Sequence, residues 1–303
     1  MGRGLRAALL GAVVRPMAMI LGMGPPMTGH DGVIDLHSHS TASDGQYPAA
    51  EVASQAAAAG LSVWALTDHD SVSALAEAKE AAERHGLRFV GGIELSVHLD
   101  RREVHVLGHF VDPHSAPLRA FEDLLAEKRR VRMGEIIHRL AAVGVALAPE
   151  EIERFSGGKI LTRPHVARAL VERGVVSTVK EAFDLYLGEG RPAFVGRYRL
   201  GAREAIELLR SAGAAATLAH PGVNRIERGD LEQLKGYGLV GVEAYHPEHH
   251  PSLREKYQRI ALELDLVPTA GSDYHGPEVS PGRALGAETM TEEGFARLEA
   301  RRG

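Results

Sequence analysis

Hydrophobic and polar residues follow two alternating patterns along the chain. Short apolar runs rich in β-branched residues are followed by longer windows rich in Ala and Glu. The short runs are typical of buried strands and the longer windows of amphipathic helices. Their alternation predicts an α/β protein with a mostly parallel sheet or barrel and helices packed outside it.

Seven apolar runs are predicted to be barrel strands, one fewer than in the common eight-stranded barrel. Helices are predicted between them at residues 48–60, 73–86 and 203–212, the first two closed by Gly60 and Gly86. The predicted strands cover residues 33–36, 61–66, 89–95, 104–111, 214–219, 239–245 and 266–270.

The alternation is interrupted in the middle of the chain. From residue 113 to 195 only helices are predicted, at 118–143, 149–155, 164–173 and 179–187. We therefore expect a barrel domain formed by residues 33–112 and 196–303, with residues 113–195 as a helical insertion that closes over the barrel as a lid.

Residues 1–32 differ from the rest of the chain. Two apolar runs, 7–14 and 17–23, are separated by Arg15-Pro16, so neither resembles the unbroken core of a signal peptide or a membrane span. We expect a disordered N-terminal extension, with Met17 or Met27 as alternative starts and an uncleaved membrane tether as the weaker alternative. The expected location is cytoplasmic.

Composition narrows the chemistry. The chain has no cysteine, which excludes disulfides, thiolate metal sites and cysteine nucleophiles. It has 16 histidines and 40 acidic residues, so a metal ion would be held by imidazole and carboxylate groups. The net charge of -5 gives no overall basic field for binding nucleic acid.

Potential metal ligands recur at the ends of the predicted strands. His37 and His39 follow the first strand and, being two residues apart on an extended segment, point the same way. Alone, this pair could equally be two exposed loop histidines. Further His, Asp and Glu residues, however, lie near the C-terminal ends of other strands, where barrel active sites are built, although His105 lies early in its strand. These residues are Asp44, His69, Glu94, His105, His220, Asp273 and His275.

Six separated motifs carry a family resemblance. DLHSHSTASDG, ALTDHD, GGIELS, EVHVLGH, LAHP and GSDYHG occur in this order within residues 33–276. The sequence resembles the PHP (polymerase and histidinol phosphatase) family, and in particular its small bacterial phosphoesterases with a helical insertion. That branch includes nucleoside 3′,5′-bisphosphate phosphatases and a 5′-to-3′ exoribonuclease. The resemblance implies a distorted seven-stranded (β/α)7 TIM-like barrel, the PHP fold, with a helical insertion domain.

The resemblance also implies three divalent metal ions, which we expect to be manganese, with zinc, iron and magnesium as alternatives. Every position expected to be a ligand carries a suitable residue, which argues against an inactive member. The implied ligands are His37, His39, Glu94 and Asp273 for the first ion; a bridging Glu94 with His105 and His220 for the second; and Asp44, His69 and His275 for the third.

A mechanism follows as a hypothesis. Water bridging the first two ions loses a proton and attacks phosphorus, while the third ion neutralises charge on the phosphate. Arg163 is expected to clamp the phosphate, although with Pro164 it could instead form only a helix start. His165 is expected to bind phosphate or protonate the leaving oxygen. His246 and Arg197 are expected to contact substrate.

Several nearby residues are expected to support the ligands rather than to bind metal themselves. Asp68 is expected to orient metal-bound groups, whereas Asp70 could do the same or cap a helix. Glu243 could be a buried acid close to the site. His109 is expected to be a wall residue, because it matches none of the expected ligands.

We therefore expect a hydrolase acting on phosphate esters of nucleotides, with nucleoside 3′,5′-bisphosphates as the first choice. The alternative is a 5′-to-3′ exoribonuclease acting on short 5′-phosphorylated RNA. Weaker alternatives are a histidinol-phosphate or other sugar-phosphate phosphatase, a C–N hydrolase and a non-catalytic metal-binding module. The expected partner is thus a small nucleotide phosphate or a short RNA, with no protein partner implied and no stable membrane association.

Overall fold

The strands form one sheet that curls into a nearly closed barrel. The structure is a computed structural model and describes residues 32–155 and 161–303. Seven strands follow one another around the barrel in the order β1-β2-β3-β4-β6-β7-β8, and the short β5 pairs with β3 outside this path. The strands are β1 (Ile34–Asp35), β2 (Val63–Leu66), β3 (Arg88–Leu99), β4 (Arg102–His109), β5 (Leu200–Gly201), β6 (Ala215–Leu218), β7 (Gly241–Tyr245) and β8 (Val267–Ala270).

Helices alternate with most of these strands, as the sequence pattern predicts. All seven predicted barrel strands are present, whereas β5, α8, α9 and α10 were not identified from the sequence. The helices are α1 (Ala49–Ala58), α2 (Leu75–Arg84), α3 (Ala116–Ala142), α4 (Pro149–Glu153), α5 (Arg163–Glu172), α6 (Val179–Ala182), which continues as a π-helical turn (Phe183–Leu187), α7 (Ala202–Ser211), α8 (Arg228–Tyr237), α9 (Pro251–Glu263) and α10 (Glu292–Glu299).

One barrel strand runs against the others. β4 is antiparallel to both β3 and β6, whereas the remaining neighbours around the barrel are parallel. The N-terminal half of β4 therefore lies at the edge of the barrel where the other strands end. This direction explains why His105, early in its strand, reaches the same edge as ligands that follow their strands.

Hydrogen bonds between the two ends of the sheet close the barrel. The amide of Leu36 donates to the carbonyl of Ala270 over 3.2 Å, and the amide of His39 donates to the carbonyl of Tyr274 over 2.8 Å. A parallel bridge also joins Ser38 and Tyr274. The loops after β1 and β8, which carry most of the first set of expected ligands, are thus held side by side.

Buried apolar side chains of the described residues form two clusters in the barrel and one in the insertion. The insertion has its own core, which includes Met133, Ile136 and Leu170. The long helix α3 contributes to both, because Leu118 and Phe121 near its start pack in the barrel core. The domain boundary predicted at residue 113 stays a prediction, since α3 joins the two cores without a break.

The expected α/β barrel is confirmed. Within residues 32–155 and 161–303, no helix is long and apolar enough to cross a membrane. The predicted disordered extension, residues 1–32, lies outside the described residues except for Gly32.

The insertion core gives a prediction about stability. Leu170 is fully buried in that core, so Leu170→Ala should leave a cavity and lower the free energy of unfolding by about 2–5 kcal/mol. Urea denaturation followed by circular dichroism would measure the loss. Val131→Ala, at an exposed position of α3, should change the free energy by less than about 0.5 kcal/mol. Equal effects of the two substitutions would contradict this packing.

Candidate metal centre

Hydrogen bonds to the neighbouring strand β2 hold the loop after β1 in place. The indole of the buried Trp64 donates to the Ser38 hydroxyl over 2.8 Å, and that hydroxyl donates to the carbonyl of Ala65 over 2.7 Å. Ser38 therefore points into the barrel wall. Because side chains alternate along an extended segment, its neighbours His37 and His39 both point to the other side.

Four donor atoms of the first expected ligand set converge. His37 Nε2 lies 3.1 Å from His39 Nε2, and each of these atoms lies 3.2 Å from Glu94 Oε2 and 3.3 Å from Asp273 Oδ1. All four residues are buried. Ligand atoms arranged tetrahedrally at 2.0–2.1 Å from a divalent ion lie about 3.3 Å apart, so the spacing of these donors fits an ion held among them.

Glu94 is the residue that connects the ligand sets. Its Oε2 lies within 3.2 Å of ring nitrogens of three histidines, and its Oε1 lies 2.9 Å and 3.1 Å from two more. Each carboxylate oxygen thus faces a different group of imidazoles, as a bridging ligand would. The five histidines are His37, His39 and His69 at Oε2, and His105 and His220 at Oε1.

The third expected set lies toward the surface. His275 Nε2 is 3.3 Å from Asp44 Oδ1, and His69 Nε2 is 3.7 Å from Asp44 Oδ2. The side chain of Asp44 is 57% exposed, whereas His37 and His39 are fully buried. His69 also approaches Glu94, so it stands between the second and third sets.

Unpaired polar atoms support metal binding at this centre. Among the described residues, buried side-chain atoms without a hydrogen-bond partner include Glu94 Oε2, His69 Nδ1 and His220 Nδ1. Buried polar atoms are rarely left unpaired without a reason, and a bound ion is one such reason. Together with the converging donors, these atoms fit divalent cations.

The carboxylates of the centre are held in their charged form. Burial alone would raise the pKa of Glu94, but the charges of His69, His37 and His105 hold that pKa well below its usual value. The pKa of Asp273 is likewise held well below its usual value, since the charge of His37 and a hydrogen bond from His246 outweigh burial. Both groups are therefore anionic at neutral pH and ready to bind cations.

The histidines divide into two kinds. Burial opposes protonation of His39, but the carboxylates of Asp273 and Glu94, 3.3 Å and 3.2 Å from its Nε2, outweigh burial and raise the pKa of His39 to about 9. Nearby carboxylates likewise raise the pKa of His37 against the effect of its burial. Burial lowers the pKa of His69 to about 4. Without metal ions, protons on His37 and His39 offset the buried negative charge.

Further acidic residues hold the ligands in position. Glu243, itself buried, lies with Oε1 2.9 Å from His37 Nδ1 and accepts the amide of His220 at Oε2 over 2.7 Å. Asp35 accepts the amide of His37 over 3.2 Å. Asp68 accepts the amide of Ser40 over 2.8 Å. Such contacts orient metal-binding imidazoles and their loops.

Two of the expected metal ligands and one neighbouring aspartate have an unusual backbone conformation. His220 and Asp273 have positive φ, at 26° and 50°, and Asp70 has φ of 52°. Non-glycine residues rarely adopt this region, and such conformations often occur at functional sites. At Asp70 the side chain accepts the amide of Ser96 over 3.1 Å, and the Asp70 amide donates to the carbonyl of Glu94 over 2.9 Å.

Two residues expected to contact substrate form hydrogen bonds within the insertion. Arg163 donates to the carbonyl of Leu187 over 3.2 Å and lies beside the rings of Phe183 and Phe194. His165 accepts the amide of Thr162 at Nδ1 over 3.2 Å, at the start of α5. Their contact with substrate stays a prediction.

The other two expected substrate residues differ from each other. Arg197 is exposed. His246 is fully buried, with Nε2 3.3 Å from Asp273 Oδ2 and Nδ1 accepting the amide of Glu248 over 3.2 Å. His246 therefore helps to orient Asp273, and its contact with substrate stays a prediction. His109, expected to be a wall residue, is buried with Nε2 3.0 Å from the carbonyl of Leu36.

Sequence reasoning missed two contributors. Arg283 forms ion pairs with Asp273 and Glu248. It lies in a loop without any motif, so no sequence signal pointed to it. Asp35 could have been found, because it precedes His37 by two residues and therefore shares its face of the extended segment.

Comparison with known proteins gives a consistent result. A family model described as PHP domain matches residues 35–185. The 5′-3′ exoribonuclease of Haemophilus influenzae is 35% identical over 250 residues, covering 80% of this chain and 90% of that protein. The 3′,5′-nucleoside bisphosphate phosphatase of Chromobacterium violaceum is 34% identical over 249 residues, covering 80% of this chain and 87% of that protein.

A solved structure agrees with these relatives. The crystal structure of a protein described as a putative metal-dependent phosphoesterase from Bifidobacterium adolescentis has a TM-score of 0.69 and 27% sequence identity to this chain. The match covers 92% of this chain and 98% of that one.

The position of Glu243 leads to a prediction about metal affinity. Glu243→Gln keeps the shape of the side chain but removes the charge beside His37, so the affinity for Mn²⁺ should fall about 10- to 100-fold. Competition with a chromophoric chelator would measure this change. Glu80→Gln, at an exposed position of α2, is the matched control and should keep the original affinity. Unchanged affinity in Glu243→Gln would contradict the supporting role.

The raised pKa values of His37 and His39 lead to a second prediction. In protein stripped of metal, His39 is protonated at pH 7, because its pKa is about 9, whereas a metal ligand must be neutral imidazole. Loading with Mn²⁺ should therefore release protons, and the release should diminish above about pH 9. Calorimetric titration in buffers of different ionisation enthalpy counts these protons. Equal heats in all buffers at pH 7 would contradict the assignment.

Proposed function

The chain belongs to the PHP family of metal-dependent phosphoesterases, and on that premise we propose that it hydrolyses one phosphate ester of a nucleoside 3′,5′-bisphosphate. The observation that supports this most strongly is the buried Glu94 carboxylate, whose two oxygens face separate groups of histidines. The relative from Chromobacterium violaceum is named for this activity.

The proposed centre holds three divalent ions, with Mn²⁺ as the first choice. Bound there, such ions lower the pKa of water to supply a nucleophile and neutralise charge on a phosphate. The residues proposed to hold them are His37, His39, Glu94 and Asp273 for the first; Glu94, His105 and His220 for the second; and Asp44, His69 and His275 for the third.

The protein's own residues define the direction of approach. Asp44 is exposed while His37 and His39 are buried, which supports entry of the phosphate from the side of Asp44. The anionic Glu94, Asp273 and Asp44 offset the charge of several cations in one site. Burial of the innermost ligands excludes water there and strengthens the electrostatic interactions.

We propose that His165 binds phosphate rather than protonating the leaving group. Its pKa is lowered by burial and by the charge of Arg168, so the imidazole is mostly neutral at neutral pH. Because Nδ1 accepts the amide of Thr162, the remaining proton is on Nε2. That N–H can donate to a phosphate oxygen.

A second candidate function is 5′-to-3′ exoribonuclease activity. The relative from Haemophilus influenzae carries this name and has nearly the same identity to the chain as the phosphatase. Both activities need the same metal centre. The net charge of -5 favours a small substrate over a long nucleic acid.

The deciding experiment compares the two substrates on one preparation. Protein loaded with Mn²⁺ is incubated with adenosine 3′,5′-bisphosphate and, separately, with a short 5′-phosphorylated RNA, and the products are identified. We expect free phosphate from the bisphosphate. Release of mononucleotides from the RNA, with no turnover of the bisphosphate, would replace this function with the second candidate.

The control for that assay is a variant with a damaged centre. Glu94→Gln removes the charge shared by the two groups of histidines, so turnover should fall more than about 100-fold. Glu80→Gln should keep the original rate. Turnover that persists in Glu94→Gln, or after dialysis against a chelator, would point to a contaminating enzyme.

A further inference from the structure

Four arginines, two from the insertion and two from the segment that follows it, form a cluster. Arg132 lies on α3, Arg163 begins α5, and Arg197 and Arg199 lie just before β5. We call these four residues the arginine cluster. The charges of the other three members act on Arg132, and those of Arg197 and Arg199 act on Arg163.

The cluster has too few anions for its charge. Among the described residues, Arg199 is the only member with a carboxylate partner, Glu103, whose Oε2 lies 2.6 Å from an Arg199 terminal nitrogen. A buried terminal nitrogen of Arg132 and the buried Nε of Arg199 have no hydrogen-bond partner. Buried N–H groups without acceptors are costly, and guanidinium groups suit phosphate oxygens in particular.

In two members of the cluster, hydrogen bonds to backbone carbonyls use only some of the guanidinium N–H groups. Arg132 donates from Nε to the carbonyl of Val195 over 2.9 Å, and Arg163 donates from one terminal nitrogen to the carbonyl of Leu187 over 3.2 Å. These bonds hold the two side chains in place and leave other N–H groups unused. A purely structural role would not require four cations to be brought together.

The pKa values of two cluster members are lowered, as expected where positive charges repel one another and an anion could bind. Burial lowers the pKa of Arg132 to about 10, helped by the charges of Arg163, Arg197 and Arg199. The pKa of Arg163 is also lowered, by burial first and then by Arg197 and Arg199. A dianion placed among these side chains would relieve the repulsion between them.

The cluster is joined to the metal centre through one carboxylate. Glu103 contacts Arg199 with one oxygen, and its other oxygen is 3.9 Å from His105 Nε2. The Arg199 guanidinium therefore lies within roughly 10 Å of an expected metal ligand. One ribose carrying phosphates on its 3′ and 5′ oxygens can span a separation of this order.

We propose that the arginine cluster binds the phosphate that is not hydrolysed, while the metal centre receives the one that is. This inference rests on the proposed function and deepens it, because it identifies the substrate class as nucleotides with a phosphate at each end of the ribose. The arginine cluster then favours substrates whose two phosphates are separated by the distance between the cluster and the metal centre. Compounds with one phosphate reach the metals without help from the cluster.

The test compares two substrates on the manganese-loaded protein. Adenosine 3′,5′-bisphosphate carries the second phosphate, and p-nitrophenyl phosphate lacks it. We expect Arg132→Gln and, separately, Arg197→Gln to lower kcat/KM for the bisphosphate about 10- to 100-fold. The loss for p-nitrophenyl phosphate should be at least tenfold smaller. Arg130→Gln, which removes an exposed charge on the same helix, is the matched control and should change neither substrate.

The outcomes separate this inference from the proposed function. Equal losses on both substrates in Arg132→Gln and Arg197→Gln, or no loss on either, would overturn the role of the arginine cluster while the function stands. Arg197 is exposed, so its variant also guards against a loss caused by misfolding. If the unsubstituted protein turns over p-nitrophenyl phosphate but not the bisphosphate, the proposed function itself is wrong, whatever the variants show.

Discussion

The burial of the Glu94 carboxylate is the constraint on which the rest of the centre depends. A charged group removed from water is costly unless it is paired, and here ring nitrogens of five histidines surround its two oxygens. Those histidines come from four different places around the barrel. The reversed direction of β4 brings His105 to one oxygen, and the closure of the barrel brings the loop of His37 and His39 to the other.

The buried negative charge of this centre can be balanced by metal ions or by protons. The carboxylates of Glu94, Asp273 and Glu243 lie close together in a region with little water. Either protons on His37 and His39 or divalent ions can balance their charge. The same carboxylates raise the pKa values of His37 and His39, so we expect metal binding to depend on pH.

The insertion is tied to the barrel mechanically and electrostatically. Helix α3 contributes Leu118 to the barrel core and Leu140 to the insertion core, so one continuous helix joins the two parts. The ion pair of Glu103 with Arg199 then places one member of the arginine cluster near His105. A substrate with two phosphates would connect the same two parts.

The sequence by itself determined the barrel strands and identified the nine residues proposed as metal ligands. It could do so because both signals are local: apolar runs define the strands, and short motifs such as the one containing His37 and His39 place ligands at strand ends. The site of Arg283 and the buried position of His246 were not predictable in this way. Their partners, Asp273 and Glu248, are brought together by loops without a motif of their own.

Tertiary structure alone decided how distant residues combine. Nothing in the sequence shows that β4 runs antiparallel, that His220 and Asp273 have positive φ, or that Arg132 lies close enough to Arg199 to interact with its charge. Strand direction, backbone strain and the approach of like charges depend on contacts between residues far apart in the chain. Local propensity carries no record of those contacts, so sequence patterns reveal the ligand types but not the arrangement that selects a substrate.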